Sequence, residues 1–288
     1  MTLGNHTRQD AASGLRATGR LQVDGAQIHY EVSGQGPALV FAHGLGGNHM
    51  SWWQQVGHFR DRFTCVTFSH RGFAPSSVEA VHPDPRQYAD DLAALIDHLQ
   101  LGQVCLVGQS MGGWTVVEYC LEHPRRVRGL VLSATVGSID LDRIAGLKPA
   151  DLSAWLQASE KSVALCRAQR VHQAAGLRMA LEQPAMHLLY QQIDEQARDL
   201  DKEVLRGRLR EMRVRGPADI AAMGVPLLVI SPQEDIVIPP PALRALATEV
   251  PGSRFVELPQ VGHSPYFEKA QVFNQHLGDF LRDLDHTG

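Results

Sequence analysis

The apolar positions of this chain change their period along its length, and the periods predict its elements. Residues 20–23 (RLQV) and 27–32 (QIHYEV) alternate apolar with polar and flank Asp24-Gly25, a dipeptide suited to a two-residue hairpin turn, so two opening antiparallel strands are expected. From Ala38 onward the pattern becomes short continuous apolar runs. ALVFAHG (38–44), FTCVTFSH (63–70), VCLVGQ (104–109), GLVLSAT (129–135), PLLVIS (226–231) and RFVELP (254–259) have the texture of strands buried on both faces of a parallel sheet. Helical periodicity lies between them, as in Tyr88, Leu92, Leu95, Ile96 and Leu99. Asp84 and Gln87 around Pro85 predict a capping box for that helix, and Gly102 its stop.

The strand signal vanishes between about Val136 and Pro226. Helical patterns take its place over 152–169, 177–189 and 193–212, the last with interleaved charges (RDLDKEVLRGRLREMR, 198–213) that read as a solvated helix face. The economical organisation is a helical insertion at 138–216 within an α/β core made of 19–137 and 217–288, preceded by a polar arm at 1–18. No internal repeat or low-complexity tract interrupts it.

Composition narrows the class. With 288 residues the chain has ample length for a large core, and 44% hydrophobic with 20% charged residues is ordinary globular usage. A net charge of −4 carries no basic excess, so nucleic acid and anionic membranes are not expected partners, and a small-molecule substrate is. The oligomeric state is not legible. Cys65, Cys105, Cys120 and Cys166 form no C-x-x-C and read as buried reduced thiols, which with the lack of an apolar leader suggests the cytoplasm.

The chemistry concentrates at Gly108-Gln109-Ser110-Met111-Gly112, between a buried strand and a helical pattern. A sharp strand-to-helix turn strains the serine and crowds its neighbours, so small residues are required two before and two after it, as Gly108 and Gly112 supply. A serine hydroxyl is a weak nucleophile alone and needs an imidazole to take its proton.

Strand-GQSMGG-helix, with His43-Gly44-Leu45-Gly46-Gly47 after an earlier strand, resembles the α/β-hydrolase fold superfamily over about residues 20 to 285. The resemblance implies a mostly parallel central sheet of about eight strands flanked by helices, with an inserted helical cap. It also implies a nucleophile, acid and histidine in that order: Ser110, Asp235 in PQEDIVIP (232–239), and His263 in VGHSPYFE (261–268). Glu234 competes with Asp235, since a one-residue slip would exchange them, and Pro232 stands where the family has glycine. The backbone N–H groups of Leu45 and Met111 fall at the family's oxyanion-hole positions. In Ser69-His70-Arg71-Gly72-Phe73-Ala74-Pro75-Ser76 the family's second glycine is alanine. His43 and His70 read as bracing rather than catalytic residues.

Trp52, Trp114 and Tyr266 border these loops and are candidate substrate-binding residues, with core packing as the competing reading. No two-His or His-carboxylate cluster has metal spacing and no dinucleotide fingerprint follows a strand, so neither metal nor cofactor is expected. Serine in place of aspartate at the elbow departs from the dehalogenase and epoxide-hydrolase branches. Gln109 and Ser264-Pro265-Tyr266 depart from the meta-cleavage carbon–carbon hydrolases, which show G-N-S-M-G-G and a tryptophan soon after the histidine. The expected activity is hydrolysis of a small, largely apolar carboxylic ester or lactone. Carbon–carbon hydrolysis, or a receptor-like member with little turnover, stays open.

Overall fold

The structure, a computed structural model, describes residues 16–80 and 82–286. Strands β1 (Ala17–Val23) and β2 (Ala26–Ser33) pair antiparallel with Val23 opposite Ala26, and Gly25 takes the left-handed conformation, φ +63°, that the Asp-Gly turn requires. Residues 1–15 of the expected arm lie outside the described residues, while Ala17 and Thr18 already belong to β1. Then come β3 (Ala38–Ala42), β4 (Thr64–Phe68), the two-residue β5 (Ser77–Val78), β6 (Val104–Gln109), β7 (Val127–Ser133), β8 (Leu227–Pro232) and β9 (Arg254–Leu258). All nine form one sheet in the order β1-β2-β4-β3-β6-β7-β8-β9, with β5 beside β2. β2 runs antiparallel to its neighbours β1, β4 and β5, and every pair from β4 through β9 is parallel.

Continuous apolar runs are required because each strand feeds two cores. Along β3, Ala38, Val40 and Ala42 enter the core on one face of the sheet while Leu39 and Phe41 enter the other, and β6 and β8 divide likewise. Helices α1 (Trp53–Phe59), α2 (Tyr88–His98) and α3 (Gly112–Glu122) follow strands of the first half. Between β7 and β8 lie α4 (Pro149–Ala168), α5 (Gly176–Glu182), α6 (Pro184–Glu195), α7 (Lys202–Glu211) and α8 (Pro217–Ala222). The chain closes with α9 (Pro240–Glu249), α10 (Pro265–Glu268) and α11 (Ala270–His286). Leu92, Leu95 and Ile96 of α2, Val116 and Val117 of α3, and Leu243 and Leu246 of α9 cover one face. Phe59 of α1 with Phe273, Leu277 and Leu281 of α11 cover the other.

Local signals are modified in two places. Asp84 accepts from the Arg86 N–H at 3.0 Å, but Gln87 Oε1 turns to Arg71 Nη1 at 2.6 Å, so the expected capping box is only half formed. That helix ends at His98 with Gln100 left-handed, ahead of Gly102. In the insertion, the helical patterns read over 177–189 and 193–212 each divide. Pro184 lacks an N–H and suits a first helical position, so it ends α5 and begins α6. Asp201 caps α7 afresh through the N–H groups of Glu203 and Val204.

All four cysteines are free and buried, and burial pushes the thiols of Cys65, Cys105 and Cys120 up to about 12. Among the described residues no helix is long and apolar enough to cross a membrane.

Candidate active site

At the junction of β6 and α3, Ser110 has φ +49°, a left-handed conformation that places its side chain apart from the strand and helix it joins. Its N–H donates to Ser133 O at 3.1 Å and its carbonyl accepts from Gly113 N–H at 2.9 Å, so the backbone locks the strain in place. The glycine rule is steric here. A Cβ on Gly108 would stand 2.7 Å from Gly112 O, and one on Gly112 only 2.2 Å from Ala42 O. Any side chain at either position would force α3 away from β3 and β6.

Asp235 and His263 come from loops after β8 and β9 and meet at this edge of the sheet. His263 Nδ1 lies 2.8 Å from Asp235 Oδ2, while Asp235 Oδ1 accepts from the N–H groups of Val237 at 2.7 Å and Ile238 at 3.0 Å. A carboxylate so occupied can only receive a proton-bearing Nδ1, which in the neutral ring puts the lone pair on Nε2. Glu234 faces the other way in a two-pronged pair with Arg178, at 2.7 and 2.9 Å. The contact therefore falls on Asp235 and not on its neighbour. Gln109 Nε2 donates to the His263 carbonyl at 2.9 Å and ties the histidine loop to the residue before Ser110. Ser110, Asp235 and His263 are 9%, 2% and 3% exposed, so bulk water scarcely reaches the group.

Glu268 braces the same loop from below. Its carboxylate accepts from Gly262 N–H at 2.9 Å and Ser264 N–H at 3.2 Å, the amides on either side of His263. Burial dominates over these bonds and raises its carboxyl from the usual range to about 7. An acid whose folded value is raised binds more protons folded than unfolded between about pH 4.5 and 7, so its contribution to stability falls as pH rises through that window. Urea unfolding from pH 4.5 to 7.5 should show Glu268→Gln gaining on the wild type by about 2–3 kcal/mol with rising pH. Parallel stability curves for the two proteins would reject the assignment.

The glycine loop after β3 is closed by Gly47 N–H donating to Gly44 O at 3.0 Å, a turn that leaves the Leu45 amide unused. Met111 is the N-cap of α3, where an amide has no intrahelical partner. Beneath the loop runs an ordered chain of hydrogen bonds. His43 Nδ1 donates to Gly44 O at 2.8 Å, and His43 Nε2 accepts from His70 Nδ1 at 2.9 Å and from the His70 N–H at 3.0 Å. His70 Nε2 then accepts from Thr115 Oγ1 at 2.9 Å. Burial lowers both imidazoles, His43 to about 3 and His70 well below its ordinary value, so both stay neutral. They hold the loop, as their sequence positions suggest, and neither is exposed. Arg71 is structural as well, pairing with buried Asp91 through Nε–Oδ2 at 2.7 Å.

The aromatic candidates separate. Trp52 stacks between Phe41 and Tyr266, ring centroids 5.0 and 4.3 Å away, and both Trp52 and Tyr266 sit in the core. Trp114 lies beside Met111, and its indole N–H donates to Leu209 O of α7 at 3.0 Å. The segment between β7 and β8 touches each of these loops. Trp155 Nε1 donates to Asp235 O at 2.7 Å, Ser264 Oγ to Ala174 O at 2.8 Å, and Asn48 Nδ2 to Gln196 Oε1 at 3.1 Å. A Cβ on Gly46 would meet Tyr190 Oη at 2.9 Å and Asp194 Oδ1 at 3.1 Å. A cavity of about 300 Å³ opens behind Asp235 between α4 and α5, lined among others by Trp155, Cys166, Arg178 and Glu268. Sequence reasoning missed Trp155, Tyr190 and Asp194, because nothing local marks which residues of an amphipathic helix will face a loop from another part of the chain.

The comparisons with known proteins agree with this architecture. The family model described as alpha/beta hydrolase fold matches residues 37–270. The 3-oxoadipate enol-lactonase 2 of Acinetobacter baylyi is 33% identical over 114 residues, which are 39% of this chain and 43% of that protein, less than half its length. Two solved structures share the fold. A thermophilic esterase from Thermogutta terrifontis has 24% identity and a TM-score of 0.71, covering 94% of this chain and 99% of that one. The enol-lactonase from Burkholderia xenovorans LB400 has 22% identity and a TM-score of 0.69, covering 92% and 100%. By the match over most of its length, and by the sheet order and elbow described above, this chain belongs to the alpha/beta hydrolase fold family.

Proposed function

We propose that the protein is a serine hydrolase of small, largely apolar carboxylic esters or lactones, with Ser110 as nucleophile, His263 as general base and acid, and Asp235 holding the imidazole. The observation that carries this reading is the 2.8 Å contact of His263 Nδ1 with Asp235 Oδ2, in a loop clasped to Gln109 next to the left-handed Ser110. Ser110 Oγ bonds to the substrate carbonyl carbon as its proton passes to His263 Nε2, and the carbonyl oxygen becomes an oxyanion held by the N–H groups of Leu45 and Met111. Collapse breaks the carbon–oxygen bond, and the leaving alkoxide takes the proton from His263. A water then gives a proton to His263 and attacks the acyl-enzyme, and Ser110 recovers its proton as the carboxylic acid departs.

Two further features support the substrate class. Leu45, Met111, Trp114, Leu205 and Leu209 pack into an apolar cluster at the elbow, so the helices that cover Ser110 meet it with hydrophobic side chains, which favours a largely apolar substrate. Relatives carry the names enol-lactonase and esterase, which fit cleavage of a carbon–oxygen bond beside a carbonyl. In this reading residues 138–216 act as a lid, because their side chains close the apolar cluster and grip all three loops.

The test is intact-protein mass after a fluorophosphonate, with turnover of p-nitrophenyl esters of increasing acyl length and of a small aliphatic lactone. One adduct per chain and turnover that falls as the acyl chain lengthens are expected. Leu205→Ala, which hollows the lid side of the cluster, should move the preference toward longer chains; an unchanged profile would remove the lid from substrate choice. A folded wild type with neither adduct nor turnover would instead favour a ligand-binding role.

A further inference from the structure

Strand β2 carries His29 and Glu31 two residues apart, so both side chains leave one face of the strand. The chain returns to that face at His49, in the 3-10 turn His49–Trp52 that follows the glycine loop. His49 Nε2 lies 3.2 Å and His29 Nε2 3.7 Å from the same atom, Glu31 Oε1, and the two imidazoles meet edge to face with centroids 4.5 Å apart. One ligand atom from each residue falls within 4.8 Å of the others. Two imidazole nitrogens and one carboxylate oxygen converging on one point are the donors that zinc and its neighbours in the first transition row take. Magnesium and calcium require oxygen-rich shells that this group lacks.

We propose that His29, Glu31 and His49 form a binding site for a zinc-type divalent cation, with two Nε2 atoms and Oε1 as ligands and a fourth position left to water. The two contacts to Glu31 Oε1, 3.2 and 3.7 Å, are already near the roughly 3.4 Å edge of a zinc tetrahedron, and the widest spacing, within 4.8 Å, would contract by up to about 1.5 Å. Ser69 Oγ sits 3.0 Å from His49 Nδ1 and accepts the His49 N–H at 3.2 Å, an outer partner that fixes the ring. The site is separate from Ser110, Asp235 and His263, none of which is a ligand. It would staple β2 to the turn that ends the glycine loop.

Arg16 makes the proposal directional. Its guanidinium pairs with both oxygens of Glu31, through Nε to Oε2 at 2.7 Å and Nη2 to Oε1, while its side chain is 60% exposed. It is a competing cation at the carboxylate. Zinc affinity of the untagged full chain, measured against a chromophoric chelator at pH 7.5, should fall at least about tenfold in Glu31→Gln and His49→Ala and rise in Arg16→Ala. Melting temperatures without metal confirm that each variant folds, and His29→Ala replaces His49→Ala if the buried position does not tolerate the change. Wild type that binds no zinc at micromolar free metal overturns the proposal. So does zinc binding indifferent to Glu31→Gln in folded protein, or a site weakened by Arg16→Ala.

Discussion

Ser110→Ala is expected to lower kcat for ester hydrolysis by about 10⁴- to 10⁶-fold and to abolish the fluorophosphonate adduct. The fold should persist. The left-handed backbone at φ +49° is strained for serine and alanine alike, and the locking bonds to Ser133 O and from Gly113 N–H are main-chain bonds that the substitution leaves alone. Loss of the hydroxyl removes the atom that bonds to the acyl carbon, while the Leu45 and Met111 amides and the apolar cluster stay. Some rate above the solvent reaction should survive for that reason, and substrate should still bind. The decisive comparison is burst and steady-state release of p-nitrophenol from wild type and variant, together with circular dichroism. A folded variant that keeps a rate within about tenfold of the wild type would end the role of Ser110.

Asp235→Asn is expected to reduce kcat by about 10⁴-fold with little loss of stability, by reversing the proton order on His263. Asp235 Oδ1 already accepts from the amides of Val237 and Ile238, so an asparagine keeps its carbonyl oxygen there. Its NH₂ group must then face His263 Nδ1, where Oδ2 now stands at 2.8 Å. A donor at that place needs a bare Nδ1, which moves the ring proton to Nε2 and takes away the lone pair that receives the Ser110 proton. Glu234→Gln provides the contrast. Glu234 binds Arg178 on the far side of the loop, so its change should alter kcat by less than about threefold. Equal losses in the two variants would mean that the wrong carboxylate has been assigned.

The distribution of what could be read in advance follows the range of the interactions. The hairpin at Asp24-Gly25, the buried strands, the family resemblance and the small residues flanking Ser110 rest on local sterics and on period, which lie within a few residues and can be read directly. The helical insertion was legible as an absence of strand texture, but its breaks at Pro184 and Asp201 were blurred by apolar spacing that runs on across them. The choice of Asp235 over Glu234 needed the meeting of two loops, where one residue of slip reverses which side chain faces His263.

Residue type and spacing determined the α/β alternation and the strand-to-helix turn at Ser110, because strand burial and backbone crowding are properties of short segments, while Asp235 and His263 were reached only through the family resemblance. Only the tertiary structure decided that Trp52 and Tyr266 fill the core, that Trp114 meets α7, and that His43 and His70 brace the glycine loop as neutral rings. The same holds for His29, Glu31 and His49. The first two share a strand face by their spacing, which the sequence reading passed over as no metal pattern, yet the third arrives only because the sheet places β2 beside the turn after β3. Contacts between distant segments depend on how sheet, loops and helices pack together, and no period along the chain records that packing.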